Sequence, residues 1–283
     1  MSTTLTNEAI VETPDDELKQ RVADYWNSRT CQTRVATAPQ YTKEFYEQIE
    51  NFRAKDEPEI AGFAEFTRYH GKEVLEVGVG SGTDFIQWAR SGAKAHGIDL
   101  TEEAIRYTQR RLETYGLTAA SLRVADAEAL PFADESFDLV YSYGVIHHTP
   151  NTPKALAEII RVMKVGGRGK IMLYNKRSSI AWLNWVRHAL LKGKPFQSVD
   201  KVLWDHMESI GTKAYTRSEI HQMLAPFPVR LWKLDTVVAQ RDLMPRQPLP
   251  VRIAAHLISI VIGLNYCGWS MKIDFEKTAK FPK

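Results

Sequence analysis

Three carboxylates and a run of glycines stand at spacings that suit a charged, nucleoside-like ligand. Residues 74–84, VLEVGVGSGTD, read as an apolar strand entering a glycine turn and then a helix. Such a turn brings bare backbone close to a ligand at a helix start. Its spacing is Gly78-x-Gly80-x-Gly82, with Thr83 standing where a dinucleotide fingerprint places its third glycine. Glu76, just before the turn, would repel a pyrophosphate but suits a ligand ending in a protonated amine. Asp99 closes the next apolar run, HGIDL, where a carboxylate accepts from both hydroxyls of a ribose. That spacing fits nicotinamide enzymes equally well. Asp126, within VADAE, ends a third strand with an acceptor suited to the adenine amino group. His147 and His148 follow a fourth strand, at the edge where α/β sheets bind ligands, and are the candidates for a proton acceptor.

These residues need a scaffold that brings strand ends together. The pattern predicts strands at 73–79, 94–98, 121–124, 137–143 and 169–174, with helices at 83–91, 101–115 and 152–163 between them. Thr101 caps the second helix, Glu102 and Glu103 favour its positive end, and Gly116 ends it. Gly166-Gly167 is expected to stop the third. This alternation is that of βαβ units with right-handed crossovers. Residues 1–70 carry short helical patterns around Val22, Tyr25 and Trp26, then Phe45 and Ile49, then Ile60 and Phe63. The alternation lapses over 176–215, an insertion read as helical, and resumes with a helix from Thr216 and a strand pair at 229–234 and 236–241. The expected organisation is a helical lid at 1–70, a main domain at 71–242 and an apolar helix with a tail at 243–283.

The pieces LEVGVGSGTD, GIDLT, ADAEALPFADESFDLVYS, IHH and RVMKVGGRGKIMLY together resemble the class I S-adenosylmethionine-dependent methyltransferases. The likeness is to the type 11 group that includes ubiquinone and menaquinone C-methyltransferases, and it spans residues 71–174. It implies an α/β fold: a Rossmann-like, seven-stranded, mostly parallel sheet flanked by helices. It further implies that Glu76, Gly78, Gly80, Gly82 and Thr83 surround the methionine end of S-adenosylmethionine. Asp99 and Leu100 would then hold the ribose, Asp126 and Ala127 face the adenine, and Tyr143 lie beside the sulfonium. Family members often fold an N-terminal helix over the cofactor, which gives Tyr25 and Trp26 a cation–π role or a plain packing role. Asp138 takes a structural place in the fourth strand.

Methyl transfer from a sulfonium is an in-line displacement in which positioning does most of the work, and a base is needed only for a protonated acceptor. His147 and Tyr174 are the expected catalytic residues, although an IHH segment also serves to fix its loop. His148, Asn175, Arg177 and Tyr215 are the expected contacts to the acceptor, Arg177 through an anionic group on it. The acceptor is expected to be a small hydrophobic or aromatic molecule, because the insertion is rich in Trp and Leu; the nucleophilic atom is left open.

Composition narrows the alternatives. The 283 residues are 44% hydrophobic with a net charge of +3, so a large core is available and nucleic acid is not an expected partner. The fourth strand ends in Tyr-Ser-Tyr-Gly, not in the Asn/Asp-Pro-Pro-aromatic motif of amino methylases acting on bases. Two distant cysteines, Cys31 and Cys267, suggest no disulfide framework or metal site. The polar, Thr-rich start lacks a secretory pattern, so the reading is cytoplasmic. Residues 251–266 contain an apolar run too short to span a bilayer, read as a buried helix, a dimer contact or a peripheral membrane contact. A non-catalytic cofactor-binding sensor and a nicotinamide-dependent oxidoreductase are the competing readings; glycine spacing and Glu76 weigh against the second.

Overall fold

The computed structural model describes residues 13–236, 238–239, 242, 248–263 and 266–280. The chain opens with helices α1 (Pro14–Ser28), α2 (Lys43–Asp56) and α3 (Glu59–Ala64). Strands β1 (Glu73–Val77), β2 (Lys94–Asp99), β3 (Ser121–Val124) and β4 (Phe137–Tyr143) follow, with α4 (Phe85–Arg90) after β1 and α5 (Glu102–Thr114) after β2. Helix α6 (Thr152–Val162) leads into β5 (Met163–Tyr174). Then come α7 (Ser179–His188), α8 (Val199–His206), α9 (Arg217–Leu224), β6 (Val229–Thr236), α10 (Leu249–Ile262) and β7 (Ser270–Lys277).

The seven strands form one sheet in the order β3-β2-β1-β4-β5-β7-β6. Strands β1 to β5 are parallel, and β7 runs antiparallel to both β5 and β6. The order reverses between β1 and β4, so their carboxyl ends splay apart and open the crevice in which open α/β sheets bind ligands. Val74, Leu75 and Val77 of β1 are all buried, as expected of a strand covered by helices on both faces. Asp138 accepts from the Glu73 amide at 3.0 Å and pairs with Lys164 at 2.8 Å, which ties β4 to β1 away from the crevice. Thr101 caps α5 by accepting from the Ala104 amide.

Several boundaries differ from the sequence reading. Helix α6 ends at Val162, and β5 starts at Met163 without the expected glycine break. Gly166 and Gly167 instead lie inside the strand, beside a register shift between Phe137 and Leu139. A Cβ on Gly167 would meet the carbonyls of Lys164 and Phe137, so the pair permits close backbone approach. Of the strand expected at 236–241, Thr236 is the end of β6, residues 238 and 239 are in no strand, and residues 237, 240 and 241 lie outside the described residues. The partner of β6 is β7, drawn from the segment read as a tail, because Met271, Ile273 and Phe275 alternate and fill the core. Its polar residues are also buried and therefore paired: Asp274 with Arg168 at 2.6 Å, and the Lys277 ammonium with the Met163 carbonyl at 2.8 Å. Of the segment expected as a lid at 1–70, residues 1–12 lie outside the described residues, and the rest divides between core and crevice. Ile60, Phe63, Ala64 and Tyr69 belong to the core against Tyr141 and Tyr143, whereas Val22 and Trp26 of α1, Arg53 of α2, and Cys31 border the crevice.

The β5–β7 seam depends on Gly169, which pairs with Phe275 and whose added Cβ would lie 2.3 Å from the Phe275 ring. Gly169→Ala is expected to cost about 1–3 kcal/mol by overpacking, read from urea unfolding. Adding Phe275→Leu should return part of that loss, whereas two additive losses would mean that the ring does not set the constraint.

Candidate functional site

The carboxyl ends of β1 to β4 border a cleft whose empty space, counted to its mouth, is about 1120 Å³. After β1 the backbone turns through Gly78, with φ of +85°, and a Cβ there would stand 2.2 Å from the Val145 side chain. The turn is thus pinned against the loop after β4, and its bare face lines the cleft together with Gly80. Gly82 is different: its missing Cβ makes room for Thr108 of α5, and it does not border the cleft.

Four carboxylates converge here. Glu76 is 3% exposed and accepts from the Trp88 indole at 2.8 Å; among the described residues no cation lies within ion-pair distance of it. Asp84 is partnered by Arg53 at 2.8 Å and by the Tyr141 hydroxyl at 2.9 Å, and Arg53 also pairs with Glu57. Asp99 accepts from the Gly80 amide at 3.0 Å through one oxygen, and from the Thr101 amide and hydroxyl through the other. Asp126 binds the Lys19 ammonium of α1 at 2.5 Å. Burial pushes the Glu76 carboxyl well above the usual range, and neighbouring Asp84 pushes it the same way. Asp99 is raised by burial too, against the opposing pull of the Gly80 and Thr101 amides. The cleft therefore crowds carboxyl groups whose ionisation burial and mutual repulsion oppose.

The rest of the cleft's lining is more apolar. Val22 and Trp26 of α1, Cys31, Tyr143 and Val145 border it with His148. Trp26 meets the His148 ring edge-on at 5.3 Å, and Arg53 lies over the Tyr143 ring at 5.0 Å. Burial pushes the Cys31 thiol up to about 12, which keeps it neutral. His148 bonds through Nδ1 to the hydroxyls of Ser209 and Thr212 at 2.9 and 3.0 Å, and its Nε2 lies 3.4 Å from Glu208. The insertion between β5 and α9 supplies all three of these partners.

Of the residues expected from sequence, Trp26, Glu76, Gly78, Gly80, Thr83, Asp99, Leu100, Asp126, Ala127, Tyr143 and His148 border this cleft. The others do not. Tyr25 packs edge-on against Trp26, with Arg29 over its ring. His147 is fully buried and packs, tilted, against the Tyr174 ring at 3.8 Å, so it fixes the loop after β4. Tyr174 is held between His147 and Trp269 and donates to Glu208 at 2.8 Å. The Asn175 amide donates to the carbonyls of Tyr266 and Gly268 while its oxygen accepts from the Arg177 amide, a turn fastening that leaves Arg177 exposed. Tyr215 bridges Asn175 and packs against the core, and burial pushes its phenol up to about 12. Sequence reasoning missed Lys19, Arg53 and Glu208. A counter-ion for Asp84 was foreseeable from a carboxylate beside a buried turn, but no spacing pointed to Arg53.

A family model described as a methyltransferase domain matches residues 75–170. The match covers about a third of the chain, and those residues are similar to that family. Over 122 residues the chain is 37% identical to the phthiotriol/phenolphthiotriol dimycocerosates methyltransferase of Mycobacterium leprae, covering 40% of this chain and 44% of that protein. A protein of that name, numbered 1, from Mycobacterium ulcerans matches at 37% over 134 residues, 46% of each chain. The matches thus span less than half the length of these relatives. Among solved structures, the geranyl diphosphate C-methyltransferase of Streptomyces coelicolor A3(2) superposes with a TM-score of 0.63 at 16% identity, covering 94% of this chain and 98% of that one. The magnesium protoporphyrin IX methyltransferase of Synechocystis PCC 6803 gives 0.59 at 15% identity, covering 92% and 99%. At such identities these two likenesses establish that the methyltransferase fold extends over nearly the whole chain.

The raised Glu76 carboxyl has a stability consequence. The folded chain holds that proton more tightly than the unfolded chain, whose glutamate titrates near 4.5, so stability falls as pH rises from that value through the raised one. Glu76→Gln should abolish this contribution and leave the ligand-free chain at least as stable as the parent near neutral pH. Thermal melts across pH test it; a Glu76→Gln chain that melts lower at every pH would show that the carboxylate stabilises the fold.

Proposed function

We propose that this chain is an S-adenosylmethionine-dependent methyltransferase acting on a small, largely apolar or aromatic acceptor that carries an acidic hydrogen. The observation that carries the reading is a buried glutamate, a ribose-type aspartate and an adenine-type aspartate on three successive strand ends around one glycine turn. These residues fit the cofactor's chemistry. Glu76 suits its ammonium, Asp99 its ribose hydroxyls and Asp126 its adenine amine, and the faces of Trp26 and Tyr143 suit a cation, each worth about 0.5–2 kcal/mol. When bound, S-adenosylmethionine supplies a methyl group already activated by its sulfonium. The chain's share is to hold the acceptor in line, which can be worth on the order of 7–11 kcal/mol, and to exclude water beneath α1.

His148 is the residue we assign to the acceptor's proton. Supporting this, it borders the cleft while His147 does not, and Glu208 stands where it would stabilise the imidazolium. The apolar wall favours an aromatic or aliphatic acceptor. Two mycobacterial relatives are named for phthiotriol and phenolphthiotriol dimycocerosates, so lipid acceptors are worth trying beside small aromatic ones.

Calorimetry with S-adenosylmethionine, S-adenosylhomocysteine and NAD should show binding of the first two and none of the third. Asp99→Ala should weaken the first two by about ten- to a hundredfold, the loss of hydrogen bonds to a charged group. Binding of NAD alone would overturn the reading. With an acceptor found by labelling a metabolite extract, His148→Gln should lower kcat by about 10²–10⁴ and remove the acidic limb of the pH–rate profile, with S-adenosylhomocysteine affinity kept. An unchanged profile would remove the role.

A further inference from the structure

Helix α10 reverses the usual polarity of a surface helix. Leu249, Ile253, Leu257 and Ile260 recur three and four residues apart, forming one stripe, and each is more than half exposed; Val261 beside them is 87% exposed. The inward positions are small, Ala255 and Ser259. Helix α7 packs against α10, and the turn beyond it exposes Leu191 at 74% and Phe196 at 100%. An exposed apolar area of this kind marks an interaction surface.

Charge indicates what covers it. Residues 176–198 and helix α10 contain no aspartate or glutamate. Arg187, Lys192, Lys194 and Arg252 are exposed on these segments, and no ion pair joins them among the described residues. A two-fold contact with a second copy would set the same cations against each other without an acidic partner. An anionic lipid surface complements both features at once, because apolar side chains enter the acyl boundary while Lys and Arg stay at the headgroups. With 14 residues α10 is too short to span, where about 20 are needed, and no helix among the described residues is long and apolar enough to cross a membrane. We propose that α10 and the turn after α7 dock the protein, lying flat, onto an anionic phospholipid bilayer. This goes beyond the methyltransferase reading and does not depend on it.

The test is co-sedimentation of the full chain with phosphatidylcholine vesicles, with and without phosphatidylglycerol. The chain should sediment with the anionic vesicles. Leu257→Asp combined with Val261→Asp should abolish this, and Lys192→Gln combined with Lys194→Gln should weaken it by roughly thirtyfold. Circular dichroism melts matching the parent's would show that the variants are folded. The proposal is overturned if the parent stays in the supernatant with anionic vesicles, or if folded Leu257→Asp, Val261→Asp chain sediments as the parent does. It is equally overturned if light scattering finds a dimer that this double variant dissociates, which would make the occupant a second copy.

Discussion

The arrangement turns on a buried carboxylate, Glu76, that has no cation within ion-pair distance among the described residues. Glu76 is the penultimate residue of strand β1, just before the glycines, shielded from water and beside Asp84. Ionising such a group without a partner is costly. The chain places its nearest strong cation, Arg53, on Asp84 and Glu57 instead. Under the proposed function, a site built this way would give up stability in the free chain for affinity toward the ligand's ammonium, a compromise common at functional positions.

Other parts of the fold serve that site. The reversal of strand order between β1 and β4 opens the crevice, and the two glycines on its floor let backbone approach whatever enters. Helix α1 covers it and is fastened through Lys19 to Asp126, so the lid holds the same carboxylate that would meet the adenine. The insertion after β5 reaches back through Glu208, Ser209 and Thr212 to set the ring of His148. Tyr174 and His147, packed beside it, keep that loop in place.

Much of this was legible in the sequence because the signals are local. The strand, turn and helix around Glu76, the Thr101 cap and the aspartates at strand ends depend on neighbours within a few residues. What was not legible depends on packing between distant segments. His147 and His148 are adjacent and chemically identical, and only the approach of residues 208–212 decides which one faces the cleft. Tyr174 and Asn175 sit at a strand end where ligands commonly bind, yet Trp269 and the carbonyls of Tyr266 and Gly268 occupy them. The alternation in SMKIDFEK was visible, but its burial on both faces blurred the contrast between apolar and polar positions. An antiparallel partner far along the chain carries no local mark.

The account's central claim is best tested by counting protons when S-adenosylhomocysteine binds, using calorimetry in two buffers of different ionisation enthalpy near neutral pH. If Glu76 waits protonated and ionises against the ligand's ammonium, binding releases protons in the parent chain and releases fewer in Glu76→Gln. Binding with no proton release, or with equal release in both chains, would contradict it.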